Sequence, residues 1–193
     1  MRPKEFHANR VLEKCISLFW NGGFKATSFD NIHAATDVNR ASLYNEFVSK
    51  EGLLAASLDL YFERYIQPKL TGLEQAPDFF SGLQNFYKSF FTAAPGNATS
   101  NGCYTIAIST EMGRELEAVN QRLRTLLEAL EHAIRTAAQK ANHSLSETSI
   151  ELLVGLFCSS AGICLVMSEP EIDFYLQSNL KLTLNAETAE SIR

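Results

Sequence analysis

The chain has 193 residues, of which 46% are hydrophobic and 20% charged, and its formal net charge is −5. This is an ordinary soluble-protein composition, sufficient for one substantial core or two small ones. The negative charge argues against a protein that coats nucleic acid indiscriminately. Residues 1–50, however, hold seven Lys and Arg against five acids, a balance of +2 that leaves −7 on the remainder. A mildly basic head on an acidic body fits a protein that meets DNA with one end.

The cysteines show neither a disulfide framework nor a metal site. Cys15, Cys103, Cys158 and Cys164 form no CxxC pair, and no His/Cys cluster has zinc-ligand spacing. No N-terminal signal pattern precedes the first predicted helix. The predominantly apolar charge-free stretch, residues 152–167, has 16 residues, and a membrane span needs roughly 18. We therefore expect reduced thiols, no metal, no membrane segment and a cytoplasmic location.

The first predicted helix follows a short arm. Apolar side chains recur at helical spacing from about residue 9 to residue 21, and Gly22 with Gly23 then forms a C-cap. Residues 1–8 are predicted to be a disordered arm in the free protein.

Residues 24–53 contain two short helix patterns joined by a three-residue turn. Thr27 is placed to cap the first helix, and residues 36–38 interrupt the pattern. Asn39 is a suitable N-cap for a second helix over residues 40–46. This arrangement predicts a helix-turn-helix, whose second helix meets the major groove with its first turns at base edges.

The side chains of the second helix indicate how it would contact DNA. Arg40 suits guanine O6 and N7, Asn45 suits adenine N6 and N7, and Ala41 fits beside a thymine methyl group. Tyr44, Thr27 and Lys50 are predicted to hold phosphates. The complete predicted DNA-binding set is Thr27, Arg40, Ala41, Ser42, Tyr44, Asn45 and Lys50.

A longer pattern extends through the surrounding helices. It consists of the "LF…GF..T" run, which ends at Thr27, then of Ser28, Ile32, Ala35 and Val38, the "SLY..F" of residues 42–47, and the "SKEGLL" of residues 49–54. From residue 11 to residue 60 the chain thereby resembles the DNA-binding domain of the TetR (tetracycline-repressor-type) family of transcriptional regulators.

Three residues, Asp37, Asn39 and Glu46, depart from the family pattern. Asp37-Val38-Asn39 stands where the family usually has Gly-Val/Ile-Ser, and Glu46 stands where it most often has His or another aromatic ring. Asp tolerates the left-handed backbone conformation and Asn caps as well as Ser, so we expect the turn to be retained.

Helix 4 is predicted to begin after the cap Ser49, with Val48 and Leu53 as a hydrophobic staple, and to end at Pro68. A linker-like stretch follows over residues 70–77. Because helix 4 is expected to be the only link between the head and the rest of the chain, we infer by elimination that it couples them.

The remaining chain is also predicted to be helical. The predicted segments are an aromatic-rich helix over residues 78–94, a mobile loop over 94–102, a helix from Cys103 to Gly113, and an amphipathic helix over about 115–142 with His132 and His143 at the surface. Two further helices cover about 146–167 and 171–184. They resemble the dimerisation pair of the TetR family, which forms a four-helix bundle across a two-fold axis. From the residues alone, a hairpin within one chain is equally compatible.

The predicted fold is therefore all-α. Residues 1–50 form a helix-turn-helix domain of three helices, helix 4 (50–67) is the connector, and residues 51–193 form a ligand-binding and dimerisation domain. The resemblance implies an effector pocket on the apolar sides of the body helices. The predicted ligand-binding set is Phe62, Phe86, Phe90, Cys103, Tyr104, Ile108, Met112 and Cys158.

The function indicated is a ligand-responsive regulator, in most such proteins a repressor, that binds a pseudo-palindromic double-stranded DNA operator as a homodimer and is released by a small-molecule inducer. An alternative is a redox- or electrophile-sensing repressor acting through Cys103, at a helix N-terminus where a thiolate is stabilised.

An enzyme is a further hypothesis, but the chain lacks GxSxG, HExxH, P-loop and GxGxxG motifs, so we expect no catalytic residue and no cofactor. The aromatic helix and the large body argue against an architectural DNA binder.

Overall fold

The computed structural model describes residues 3–90, 102–164 and 167–190, and within these ranges every regular element is helical. The prediction of an all-α fold is confirmed. The helices are α1 (Pro3–Gly22), α2 (Phe29–Thr36), α3 (Arg40–Phe47), α4 (Lys50–Tyr61), α5 (Gln67–Glu74), α6 (Phe79–Lys88), α7 (Tyr104–Met112), α8 (Glu117–Lys140), α9 (Glu147–Ile163) and α10 (Glu169–Glu190).

The chain forms two compact units. The first comprises Met1–Ile66 and Tyr104–Arg124, and the second comprises Gln67–Cys103 and Thr125–Arg193. The chain therefore passes between the units three times. The expectation that helix 4 is the only link is wrong, because α7 and the first turns of α8 belong to the same unit as α1–α4.

The core of the first unit is formed where α1 packs against α2, α4 and α7. Apolar side chains from each of these helices are buried there, which removes them from water and supplies most of the driving force for folding. The core includes Cys15, Phe19, Ile32, Leu54 and Ile108.

The second unit is organised around α6. This helix packs against α5 and α10, and α9 packs against α10. The Tyr87 ring on α6 is buried, and its hydroxyl donates to the Leu153 carbonyl oxygen at 2.7 Å. A buried hydroxyl requires such a partner, and this one ties α6 to α9.

The helix that begins with α4 does not end at Pro68. A π-helical turn, Phe62–Ile66, follows α4, and α5 contains Pro68 and continues to Glu74. In a regular α-helix the proline ring would clash with the carbonyl of residue 64, and the wider π turn places that carbonyl differently. The predicted linker is consequently helical as far as Glu74.

The other differences concern the ends of elements. Helix α1 begins at Pro3 instead of residue 9, since proline is well suited to the first turn of a helix. Helix α10 continues to Glu190. The predicted loop over 94–102 lies outside the described residues except for Gly102. In the described ranges, no helix combines the length and hydropathy that crossing a bilayer requires.

Candidate nucleic-acid interface

The helix α2 is capped by Ser28 and not by Thr27. The Ser28 hydroxyl oxygen accepts from the Asn31 amide at 3.1 Å, and the Asn31 side-chain oxygen accepts from the Ser28 amide at 2.8 Å. Thr27 lies one residue too early, is only 5% exposed, and donates its hydroxyl hydrogen to the Gly23 carbonyl oxygen at 2.7 Å. This inward bond fixes the turn between α1 and α2, so the predicted capping role of Thr27 is wrong.

The turn between α2 and α3 has the predicted geometry. Asp37 adopts the left-handed conformation with φ 59°, and its amide donates to the His33 carbonyl oxygen at 2.8 Å. The Asn39 side-chain oxygen accepts from the Ser42 amide at 2.9 Å and caps α3. Two residues that depart from the family pattern therefore fulfil the backbone requirements of the turn.

Helix α3 is held by one buried side chain. Leu43 is only 2% exposed, whereas Arg40, Ala41, Ser42 and Asn45 are all exposed and Tyr44 is 39% exposed. Five of the seven predicted DNA-binding residues are thus brought together on one accessible helix.

The other two predicted residues, Thr27 and Lys50, do not lie on α3. Thr27 points inward, as described above. Lys50 is half-buried at the start of α4, with its Nζ 4.3 Å from the centroid of the Phe24 ring, and burial lowers the pKa of its ammonium group. DNA contacts remain predictions for all seven.

A cluster of two rings and a guanidinium lies where α2 meets α3. The rings of Phe29 and Tyr44 are stacked, with centroids 4.8 Å apart and planes 26° apart. The Arg40 Cζ lies 4.9 Å from the Phe29 centroid and 5.4 Å from that of Tyr44. Its Nη2 donates to the Tyr44 hydroxyl at 3.3 Å. The sequence pattern alone did not indicate this contact between Phe29 and Arg40.

The junction between α3 and α4 is strained. Val48 has φ 67° and ψ −44° and is 78% exposed, and the Ser49 amide donates to the Phe47 carbonyl oxygen at 2.7 Å across it. This is a γ-turn of the rarer, positive-φ type, which a β-branched residue adopts only under constraint. Its exposure also means that Val48 is not half of a hydrophobic staple.

A close backbone approach supplies that constraint. A methyl group at Gly52 would lie 2.1 Å from the Phe47 carbonyl oxygen, so only glycine lets the first turn of α4 approach the end of α3. The Ser49 hydroxyl caps α4, as predicted, by accepting from the Gly52 amide at 3.0 Å. The orientation of α3 is thereby fixed from both of its ends.

A carboxylate of α7 binds the backbone of the turn between α1 and α2. The two oxygens of Glu111 accept from the Phe24 and Lys25 amides, each at 2.8 Å. Glycine suits position 23 because its φ is 81°, a backbone conformation that other residues rarely adopt. Lys25 also forms an ion pair with Glu115. We call the two hydrogen bonds from the Phe24 and Lys25 amides to the Glu111 carboxylate the carboxylate clamp.

Two further contacts join α7 and α8 to α4. The Tyr104 hydroxyl lies 2.8 Å from the Ser57 hydroxyl, and burial raises the pKa of Tyr104, which keeps its phenol neutral. Arg122 donates to both carboxylate oxygens of Asp59, at 2.8 Å and 2.6 Å. The sequence analysis did not identify Glu111 or Arg122, because their partners are distant along the chain and no motif spacing marks them.

The predicted effector residues are divided between the units. Phe62, Tyr104, Ile108 and Met112 belong to the first unit, and Phe86, Phe90, Cys103 and Cys158 belong to the second. In the second unit the Phe86 and Phe90 rings are in contact, and both also contact the ring of Phe157, which the sequence interpretation did not include. In the first unit Tyr104 contacts the rings of Trp20 and Tyr61. Effector binding by this set remains a prediction.

Cys103 lacks the exposure that a sensing thiol requires. Its side chain is only 1% exposed, which argues against the redox alternative. Burial also raises the pKa of Cys158 and Cys164, and raises the pKa of Cys15 to about 12. Within the described part of the chain, no group of three or more His, Cys, Asp or Glu is arranged to hold a metal ion.

The capped helices, the left-handed turn and the exposed face of α3 define a helix-turn-helix protein. Residues 11–57 match the family model for bacterial regulatory proteins of the tetR family. Over 114 residues the chain is 36% identical to the HTH-type transcriptional repressor ComR of Escherichia coli K12, covering 55% of this chain and 54% of ComR. It is 24% identical over 110 residues to YezE, an uncharacterized HTH-type transcriptional regulator of Bacillus subtilis 168, with 57% of each covered. The chain spans about half the length of these relatives.

Solved structures share the fold over nearly the whole chain. The reduced form of E. coli NemR gives a TM-score of 0.76 at 19% identity, covering 93% of this chain and 96% of NemR. A cysteine-substituted form of the TetR family transcriptional regulator CifR, complexed with 26-bp operator DNA, gives 0.74 at 16% identity, covering 90% and 94%. Residues 11–57 of this chain are thus similar to the tetR family of bacterial regulatory proteins, and the solved structures that share its fold include regulators of that family.

Proposed function

We propose that this protein is a cytoplasmic transcriptional repressor that binds a pseudo-palindromic DNA operator as a homodimer and is released by a small-molecule effector. The observation that carries the proposal is the exposed polar face of α3, anchored beneath by the buried Leu43. In helix-turn-helix proteins this second helix enters the major groove. The repressor name of ComR and the operator complex of CifR support the same function here.

Substitutions on α3 and at the start of α4 should separate base reading from phosphate binding. We expect Arg40→Ala and Asn45→Ala each to lose about 1 to 3 kcal/mol of binding at particular base pairs. Lys50→Ala should weaken binding to all duplexes alike and reduce the salt slope by about one unit. The measurement is a mobility-shift titration with the duplex that the parent protein selects from a random-sequence library, and with its single-base variants. Equal changes in base preference for both kinds of variant would contradict these roles.

The proposed homodimer interface is formed by α9 and α10. Three large apolar side chains of these helices are exposed: Phe174 at 75% and Leu182 at 70% on α10, and Leu152 at 53% on α9. A cleft of about 500 Å³ beside Phe174 is lined by Met167, Pro170, Glu171, Tyr175, Ser178 and Asn179. Gly155 and Gly162 on α9 leave open space where another helix could approach closely. A second copy of the chain would cover these apolar side chains and place two α3 helices on two half-sites.

The proposed effector is a largely apolar small molecule. The contacting rings of Phe86, Phe90 and Phe157 provide the type of wall that such ligands prefer. Trp20, the only tryptophan, lies 5.7 Å from the predicted effector residue Tyr104, measured between ring centroids. We therefore expect metabolites from an apolar panel that abolish the operator shift also to change Trp20 fluorescence. Operator release without a fluorescence change would remove Tyr104 from the effector set.

The same titrations distinguish the competing functions. An enzyme without a DNA-binding role would not shift a selected duplex. An architectural DNA binder would shift it regardless of any metabolite. A ligand regulates only through a difference in its affinity for the two states of the protein, so the measured quantity is operator release and not ligand affinity alone.

A further inference from the structure

We infer that Phe29, on α2, is a specificity-determining positioning residue: its ring, with that of Tyr44, holds the Arg40 guanidinium in the orientation that reads one base pair. The inference rests on the proposed function and names a residue outside α3 that controls the base preference of α3.

The arrangement of the three side chains supports this role. Phe29 is the first residue of α2, directly after the cap Ser28, and its side chain is half-buried. Its ring stacks on Tyr44 at 4.8 Å, and the Arg40 Cζ lies 4.9 Å from its centroid. Arg40 and Tyr44 are four residues apart on α3 and share a face of that helix. One ring from α2 and one from α3 therefore both contact the guanidinium.

A guanidinium can stack and recognise a base simultaneously. Its flat face interacts with aromatic rings, whereas its five N–H donors lie in the plane of the group. In Arg40 the Nη2 donates to the Tyr44 hydroxyl at 3.3 Å, and the donors that this bond does not use can contact a base. An exposed arginine otherwise loses considerable rotamer freedom, about 2 kcal/mol, when it is fixed against a base. Restriction by the two rings before binding reduces that loss at the base pair that Arg40 contacts.

Phe29 offers a cleaner test of this idea than Tyr44. Tyr44 is exposed on α3 and is predicted to contact phosphate, so its substitution would alter two contacts at once. Phe29 is not among the predicted DNA contacts, and it reaches Arg40 from the neighbouring helix. An effect of Phe29 that passes through Arg40 should change the preference at one base pair, whereas an effect through the stacked Tyr44, a predicted phosphate contact, should weaken binding to all duplexes alike.

The experiment measures binding of the full-length chain to the selected duplex and to every single-base variant of it. Phe29→Leu retains an apolar side chain but removes the ring, and should reduce discrimination at the Arg40-dependent base pair by about 2- to 5-fold, the strength of an exposed cation–π contact. Discrimination at other base pairs should be unchanged. Phe29→Tyr retains the ring and should behave like the parent, and circular dichroism reports whether each variant is folded.

A double-mutant comparison decides whether Phe29 acts through Arg40. In an Arg40→Ala background, Phe29→Leu should cause no further loss of discrimination. The inference is overturned if Phe29→Leu discriminates like the parent, if it weakens binding to all duplexes equally, or if its effect persists without Arg40. It is also overturned if Phe29→Tyr behaves like Phe29→Leu. Failure of the parent protein to select any duplex would instead refute the proposed function itself.

Discussion

Replacing Glu111 with alanine is expected to lower the free energy of unfolding by about 1 to 3 kcal/mol, because it leaves the part-buried Phe24 amide without its acceptor and exchanges the acceptor of the exposed Lys25 amide for water. Those amides, of Phe24 and Lys25, each donate to the Glu111 carboxylate at 2.8 Å. Hydrogen bonds to an ionised acceptor are about twice as strong as neutral ones. The turn they hold directly precedes α2, so operator affinity should fall together with stability.

Two companion variants make this result interpretable. Glu111→Gln retains one carbonyl oxygen and should recover about half of the loss, since one amide keeps an acceptor. Glu115→Ala removes only the ion pair with Lys25, whose side chains are 54% and 53% exposed. An exposed pair contributes about 0 to 1 kcal/mol, so this variant is the matched control. The measurements are urea unfolding and operator titration, and equal losses for Glu111→Ala and Glu115→Ala would contradict the carboxylate clamp.

The carboxylate clamp also connects α7 directly to the helix-turn-helix, in addition to the connection through α4. Helix α4 is bonded to α7 and α8 through Tyr104 and Arg122, and α7 is bonded to the turn before α2 through Glu111. A displacement of α7 would therefore act on α2 directly, without passing along α4. An operator-release assay on Glu111→Gln would show whether the effector response depends on this route.

Local signals in the sequence predicted the helix-turn-helix well. Asn39 and Ser49 cap the helices that were assigned to them, because each side chain bonds an amide only three residues further on. Asp37 adopts the left-handed conformation expected of it. The cap of α2 was misassigned by one residue, since Thr27 and Ser28 have the same chemistry and only their burial distinguishes them.

Contacts between distant residues could not be predicted in the same way. Glu111 lies 87 residues from Phe24, and nothing in the local pattern around either residue indicates the other. The π turn before Pro68 was missed because proline inside a helix pattern normally indicates the end of the helix. The γ-turn at Val48 was missed because valine is among the residues least suited to positive φ. Each feature depends on surrounding structure that overrides a local preference.

Replacing Phe174 with glutamate is expected to convert the protein to a monomer and to weaken operator binding by about 100-fold or more. Linking two binding modules commonly raises the overall affinity by a factor of this size. Phe174 is the most exposed large apolar side chain on α10, at 75%. A carboxylate at this position would have to be desolvated if a partner covered it, and burial of an unpaired charge is strongly unfavourable. The folded monomer should be unaffected, because the side chain is exposed there.

The matched control adds the same charge elsewhere. His132→Glu places a carboxylate at an exposed position of α8 and should leave both the dimer and operator binding unchanged. Sedimentation at micromolar concentration measures the oligomeric state. Titration of duplexes with one and with two half-sites measures how much the second half-site raises the affinity. Parent and Phe174→Glu should bind a single half-site alike and differ only on the complete operator, since α3 is intact in both. A parent protein that sediments as a monomer while binding the complete operator tightly would refute the homodimer.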